Sequence, residues 1–325
     1  MKIEEYLEKN QQIPYKIFKN ALERKTFFHA YLLNGSLGTP LLEIAKFLAK
    51  SILCDDENTV FACDNCINCE RIENNTYADF IIVDGKSQTI KKEDIQNIIT
   101  AFSSTSTEKK GIKIYIINLV ENMNVESINA LLKFLEEPPT ETYAILTTEN
   151  KYRVLPTILS RTEIIDFSLI DKNELIKNAT NLGANKEDAE ILSFFYNDAN
   201  TILNISKDDD FIASKEITLN ALKKISDPKE FIFEIEVNVI PSLKTKEEIR
   251  FFFDFMIVFF KEALKYSFNE ETFLESYVNI LQDLIKSCSH LDESILTLIN
   301  ARNELNYNVN TSLLIIHAFK KALEV

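Results

Sequence analysis

At 325 residues, with 46% hydrophobic and 26% charged side chains, the chain is long enough for two or three domains that each bury a core. Residues 1–12 are charged and lack the apolar run of a signal peptide, so a cytoplasmic protein is expected. The net charge of −14 is uneven: residues 1–165 carry 19 basic against 23 acidic side chains, and residues 166–325 carry 17 against 27. That balance makes the second half a poor grip on a phosphate backbone and better suited to protein partners, leaving nucleic-acid contact to a local patch or to partner subunits.

In chain order, Ile13-Pro14 leads into a short amphipathic helix predicted over 15–25, and His29 is read as structural. Ala30-Tyr31-Leu32-Leu33 is a short apolar strand running into Asn34-Gly35-Ser36-Leu37-Gly38-Thr39-Pro40-Leu41-Leu42. A helix follows over 40–53: proline suits its first position, and Leu41, Ile44, Ala45, Leu48 and Ile52 recur at helical spacing. Strand, glycine-containing turn, helix is the order of a phosphate-binding loop. In such a loop GxxxxGK[ST] supplies backbone N–H groups, a lysine and a metal-binding hydroxyl. With Gly35 on the first glycine and Gly38 inside the loop, Pro40, Leu41 and Leu42 fall on the last three positions. Proline has no N–H and neither leucine carries an ammonium or a hydroxyl, so no bound nucleotide is expected. Taken alone, the segment reads more simply as an ordinary βα turn.

Cys54, Cys63, Cys66 and Cys69 follow, spaced Cys-x8-Cys-x2-Cys-x2-Cys. Each x2 turn brings successive sulfurs to one side, and four thiolates close a tetrahedral zinc sphere with no open position, so the ion would be structural. A reducing compartment disfavours disulfides. Cys288, far along the chain, is read as a plain thiol.

A buried strand is predicted over 80–83, a helix over 91–100, and the clearest strand over 112–117. In a nucleotide-binding α/β domain that strand would end in two acids, one holding Mg²⁺ and one positioning water. Here it ends in Asn118 and Leu119, and Glu121 two residues later is read as a solvated loop charge. Asn124 caps a helix over 125–137 with Ile128, Leu131, Leu132 and Leu135 on its apolar face, and Pro138-Pro139 stops it. A strand over 143–148, a short helix within 155–162 and a strand over 163–167 complete an alternation that calls for a parallel sheet covered on both faces.

Beyond residue 167 helical periodicity takes over: 171–180, 185–196 and 198–205 form a small bundle, and 207–210 is a hinge or linker. Longer helices include 246–266, 270–287 and 310–323. The stretch 251–264 holds six phenylalanines, but Arg250, Asp254, Lys261 and Glu262 interrupt it well short of the ~20 apolar residues of a membrane span. It reads as a helix buried among helices.

Several motifs occur in a telling order: His29-Ala30-Tyr31-Leu32-Leu33, the decayed loop, the four-cysteine insert, Asn129-Ala130-Leu131-Leu132-Lys133-Phe134-Leu135-Glu136-Glu137-Pro138-Pro139, and Leu155-Pro156-Thr157-Ile158-Leu159-Ser160-Arg161. Together they resemble the bacterial clamp-loader branch of the AAA+ proteins, and the decayed nucleotide motifs resemble its non-hydrolysing members. The resemblance covers residues 13–167 by motif and 168–325 mainly by architecture. It implies an AAA+ RecA-like α/β domain over 1–167 with a zinc module, 54–69, inserted, a small helical lid over 168–207, and an all-α collar domain over 208–325 that oligomerises.

The resemblance further implies a replication role without ATP hydrolysis by the chain itself. Arg161, with Ser160 as its motif neighbour, would act in trans as an arginine finger on ATP held by a neighbouring subunit. The family's Ser-Arg-Cys reads Ser160-Arg161-Thr162 here, and Thr147 and Thr148 align with a γ-phosphate-sensing region but are read as structural hydroxyls. Read from the residues alone, Arg161 is an arginine paired with a local carboxylate at a helix end. Implied partners are the tau/gamma ATPase subunits and delta subunit of the DNA polymerase III clamp loader, the sliding clamp, and primed DNA through the complex, with no membrane. Competing readings are an active ATPase subunit with an unorthodox loop, which needs substitutes for a lysine at Leu41 and an acid at Asn118, and a zinc-bearing adaptor outside replication.

Overall fold

Runs of β-branched and aliphatic residues bounded by turns make five strands: β1 (Ala30–Asn34), β2 (Phe80–Asp84), β3 (Lys113–Asn118), β4 (Thr142–Thr148) and β5 (Glu163–Asp166). They pair in parallel in the order β2-β3-β4-β1-β5. Tyr31 and Leu33, Ile114 and Ile116, and Ile145 enter one core, while Ala30, Leu32, Tyr115, Ile117, Ala144 and Leu146 enter another on the opposite face. That is the two-residue period of a strand with both faces covered, which is why these segments read as unbroken apolar runs.

The first face is covered by α1 (Ile3–Asn10), α2 (Gln12–Arg24), α3 (Leu41–Leu53) and α4 (Ile67–Glu73), and the second by α5 (Lys92–Ser103), α6 (Val125–Glu136) and α7 (Pro156–Leu159). Helix α1 was not expected from the sequence, yet it buries Tyr6 and Leu7. Pro14 lies inside the first turn of α2, where its missing N–H has no intrahelical partner to lose. Asn124 caps α6 as expected, its side chain accepting from the Ser127 N–H at 2.8 Å. The buried face of α6 is Ser127, Leu131, Phe134 and Leu135, with Ile128 and Leu132 only partly covered.

The chain divides into two units, Met1–Ile170 and Asp171–Val325. This computed structural model describes residues 3–86, 88–103, 105–139, 141–305, 307 and 309–324. The second unit is helical: α8 (Lys172–Asn181), α9 (Lys186–Leu192), α10 (Ala199–Ile205), α11 (Asp209–Leu222), α12 (Pro228–Glu234), α13 (Ile240–Ser242), α14 (Lys246–Ser267), α15 (Val278–Ser287), α16 (Leu291–Glu304) and α17 (Thr311–Ala322).

The acidic segment 207–210 is the cap and first turn of α11 and not a linker. Asp208 accepts from the N–H groups of Asp210 and Phe211, so its neighbours' acidity complements a helix N-terminus. The expected helix over 270–287 is also interrupted. Glu262 of α14, 2% exposed, accepts from Phe273 N and Thr272 Oγ1, which turns the chain before α15 begins. Helix α14 lies at the centre of this unit, burying Phe252, Phe253, Phe255, Phe259 and Phe260, with Phe253 stacked 6.0 Å from Phe319 of α17. Among the described residues no helix is long and apolar enough to cross a membrane.

Candidate functional site

The loop between β1 and α3 has three of its backbone donors engaged, two on its own carbonyls and one on β4. Thr39 N donates to Ser36 O at 3.0 Å, closing a turn whose third residue, Gly38, has φ 86° as a type II turn requires. Pro40 has φ −76° and ψ 60°, the inverse γ conformation, and Leu41 N accordingly donates back to Thr39 O at 2.7 Å. Pro40 is therefore the residue before the helix and not its first, contrary to the sequence expectation. Gly35 N is also engaged, on Thr148 O at 3.1 Å. Leu41 is 4% exposed and packs over Gly35, where an added Cβ would stand 3.1 Å from its Cδ2. A methyl-bearing side chain thus occupies the position at which a phosphate loop carries its lysine.

The end of β3 is closed in the same manner. Asn118, 5% exposed, accepts from Thr147 Oγ1 at 2.6 Å and donates from Nδ2 to Asp84 Oδ1 at 2.7 Å. Thr147 in turn accepts from Leu119 N at 2.9 Å, which fixes Leu119 at φ 60°. The amide and hydroxyl satisfy each other, and the Asp84 carboxylate is engaged by the same amide. Thr147 and Thr148, both fully buried, join the two halves: the first binds Asn118 and the carbonyl of the second binds Gly35.

Glu121 departs from the sequence expectation. It is no solvated charge: Oε1 accepts from Glu149 N at 2.8 Å, and Oε2 is buried with no hydrogen-bond partner among the described residues. Burial, and then the Glu121 charge, push the Glu149 carboxyl above its ordinary pKa. Sequence separation hid this pair, which β3 and β4 bring together by pairing. The sequence also gave no sign of Asn34 as a brace. Its Oδ1 accepts from Lys151 N at 3.1 Å and its Nδ2 donates to Asp166 Oδ1 at 2.7 Å, with Lys151 Nζ completing the set on Asp166 at 2.9 Å.

Arg161 lies just past the end of α7. One Nη donates to Thr157 O at 2.8 Å and Ser160 Oγ at 3.3 Å, and the other pairs with Glu136 Oε1 at 2.5 Å. Ser160 Oγ bonds Thr157 O at 3.2 Å, and Thr162 Oγ1 bonds Ile158 O at 3.1 Å, so Thr162 caps the same short helix. Arg161 therefore serves the carbonyl end of α7 and the carboxylate at the last residue of α6, two negative helix termini.

The four cysteines of the insert converge. Cys54 ends α3, Cys63 and Cys66 lie on the following loop, Cys69 is in the first turn of α4, and all four Sγ atoms lie within 4.8 Å of one another. Cys54 Sγ is 3.5 Å from Cys63 Sγ and 3.9 Å from Cys66 Sγ. A tetrahedron of thiolates about 2.3 Å from zinc has its sulfurs about 3.8 Å apart, so this set fits the ion. Backbone N–H groups of Cys63, Cys66 and Cys69 point at the sulfurs of Cys54, Cys63 and Cys66, as stabilised thiolates require. Burial pushes the thiols of Cys54 and Cys69 up; that of Cys66, also raised by burial, is brought down to about 7 by N–H donors from Asp55 and Cys69 and by neighbouring thiols. Lys50 ties the module to α3 through Asp64 at 2.7 Å and Glu73 at 3.0 Å, and Arg71 ties it to Glu108 at 2.7 Å. Cys288 belongs to the second unit and is buried against Ser294 and the Ala322 carbonyl.

A family model described as DNA polymerase III, delta subunit, matches residues 10–171. The DNA polymerase III subunit delta' of Bacillus subtilis is 30% identical over 307 residues, covering 93% of each chain. Subunit tau of the same organism is 35% identical over 163 residues, 50% of this chain and 28% of tau. Among solved structures, a DNA polymerase III gamma subunit-related protein from Thermotoga maritima superimposes with a TM-score of 0.60 at 18% identity, over 95% of this chain and 98% of that one, which shows a shared fold.

Proposed function

We infer the function from the premise that this chain belongs to the DNA polymerase III delta-prime family, and hence is an accessory component of the clamp loader in DNA replication. In the finer reading it neither binds nor hydrolyses ATP. It contributes Arg161, oriented by Ser160, to ATP bound by a neighbouring tau/gamma subunit, whose γ-phosphoryl charge the guanidinium stabilises. The observation that carries this reading is the self-engaged loop: the N–H groups of Gly35, Thr39 and Leu41 are bonded to carbonyls, Pro40 has none, and Leu41 fills the space. The vacancy of acid at Asn118 supports it from the other side of the site.

The remaining parts follow the same reading. The delta subunit and sliding clamp join tau/gamma as partners, with primed DNA reached through the complex in the cytoplasm. Residues 168–207 serve as the lid and 208–325 as the collar that oligomerises. The ion held by Cys54, Cys63, Cys66 and Cys69 is a structural zinc.

Calorimetric titration of the purified chain with magnesium and ATP is expected to give no binding heat. In the reconstituted complex Arg161→Ala is expected to lower ATP hydrolysis at the one site this arginine faces by about 10³-fold or more, the low end for arginine fingers, and so to reduce the total rate by that site's share. Micromolar ATP binding by the isolated chain, or a normal rate in the mutant complex, overturns the corresponding half of the reading.

A further inference from the structure

Arg161 is not free to reach a neighbour as it stands. Its guanidinium is shared between Thr157 O and Ser160 Oγ on one side and Glu136 on the other. Glu136 is the final residue of α6, where the helix's negative end disfavours a carboxylate and so favours a cation beside it. Side-chain exposure is 32% for Arg161 and 51% for Glu136, which makes the pair one that water and competing anions reach. A carboxylate and a phosphoryl group offer the guanidinium fork the same kind of acceptor edge.

We propose that Glu136 is a positioning residue, a latch that keeps the Arg161 fork on its own subunit until a phosphoryl oxygen of the neighbour's ATP takes its place. The inference rests on the finger reading above. The exchange is one acceptor for another: the Nη2 hydrogen bond to Glu136 is lost, one to the phosphoryl group forms, and Thr157 and Ser160 hold the other nitrogen as a pivot. When phosphate leaves, Glu136 is left unpartnered at the negative end of α6, which draws the arginine back. The latch thus resets the finger after each turnover and weakens engagement of the neighbour's nucleotide by the modest factor an exposed pair supplies.

The test uses the full reconstituted complex carrying wild type, Glu136→Gln, Arg161→Ala or both substitutions, titrated with a non-hydrolysable ATP analogue. Glu136→Gln is expected to tighten binding about two- to fivefold, the range open to an exposed ion pair. Arg161→Ala is expected to weaken it, and Glu136→Gln to have no effect once Arg161 is gone. The melting temperature of the isolated Glu136→Gln chain, expected to match wild type, separates a latch from a structural staple. If Arg161→Ala weakens binding but Glu136→Gln leaves it unchanged or weakens it, the latch is overturned and the finger stands. A Glu136→Gln shift that persists without Arg161 also overturns the latch. If Arg161→Ala changes neither binding nor ATPase rate, the finger reading fails and takes the latch with it.

Discussion

The loop at 35–42 and the cysteine module that follows α3 sit at opposite ends of one helix and are held together in opposite ways. The loop has a scaffold without ligand-holding groups; the module has ligand-holding groups with little scaffold. In the loop, backbone hydrogen bonds from Thr39 to Ser36 and from Leu41 to Thr39, with Leu41 packed over Gly35, hold the chain with no bound partner. The module has only a seven-residue helix and a few apolar residues, Phe61, Ala62, Cys69 and Ile72, which join the core of the sheet. Its four thiols lie within 4.8 Å, an arrangement whose thiolates repel one another unless a cation neutralises them. A segment whose contacts are supplied internally holds its shape unaided, whereas one built from converging like-charged groups needs a cation to do so.

Removing the metal should have the largest effect on this contrast. Elemental analysis is expected to find one zinc per chain, lost on Cys63→Ser with Cys66→Ser. Structural zinc supplies about 10–16 kcal/mol in small domains, so hydrogen exchange across residues 54–73 should rise by orders of magnitude while the sheet core keeps its protection. Unchanged exchange in the metal-free variant means the module is as self-sufficient as the loop.

The loop offers the reciprocal experiment. Leu41→Lys restores the residue type of a phosphate loop but places an ammonium in a site only 4% exposed, at an expected cost of about 2–4 kcal/mol. Denaturant melts should show that loss, and calorimetry should show no gain in ATP affinity because Pro40 has no N–H and those of Gly35, Thr39 and Leu41 stay engaged. Nucleotide binding by this variant would mean that the loop lacks a lysine and nothing else.

The smallest effect concerns the closed end of the sheet beside that loop. Glu149 has its pKa raised by burial and by Glu121, with Lys86 and Arg153 opposing. A carboxyl with a raised folded-state pKa binds its proton more tightly folded than unfolded, so the wild type carries a penalty above that pKa and sheds it as pH falls. Glu149→Gln should therefore stabilise the protein at pH 7 by about 0.5–1 kcal/mol, allowing for solvent screening of a part-exposed group. The gain should fade as pH falls through the folded-state value toward the ordinary carboxylate range. A gain independent of pH in thermal melts would assign the effect to something other than this charge.

How far the sequence carried each part follows from the range of the forces involved. Strand runs, the Asn124 cap and the buried helix α14 were legible because propensity, capping and burial periodicity are local. The cysteine cluster was legible because three of its four thiols lie within one or two turns of chain. The misplacement of Pro40 arose from a conformation: proline fixes φ but not ψ, and ψ 60° puts it in a γ-turn before the helix.

Pairings across elements belonged to the tertiary structure alone. Glu121 with Glu149, Asn118 with Asp84 and Thr147, and Arg161 with Glu136 each join residues 25 to 34 positions apart, and nothing in either partner's local sequence announces the other. Amino-acid identity determined which functional groups residues 40–42, 118 and 119 carry, because an ammonium or carboxylate cannot be folded into existence. Packing decided which of the remaining polar groups are spent on one another, because hydrogen-bond partners are chosen by distance in space and not along the chain.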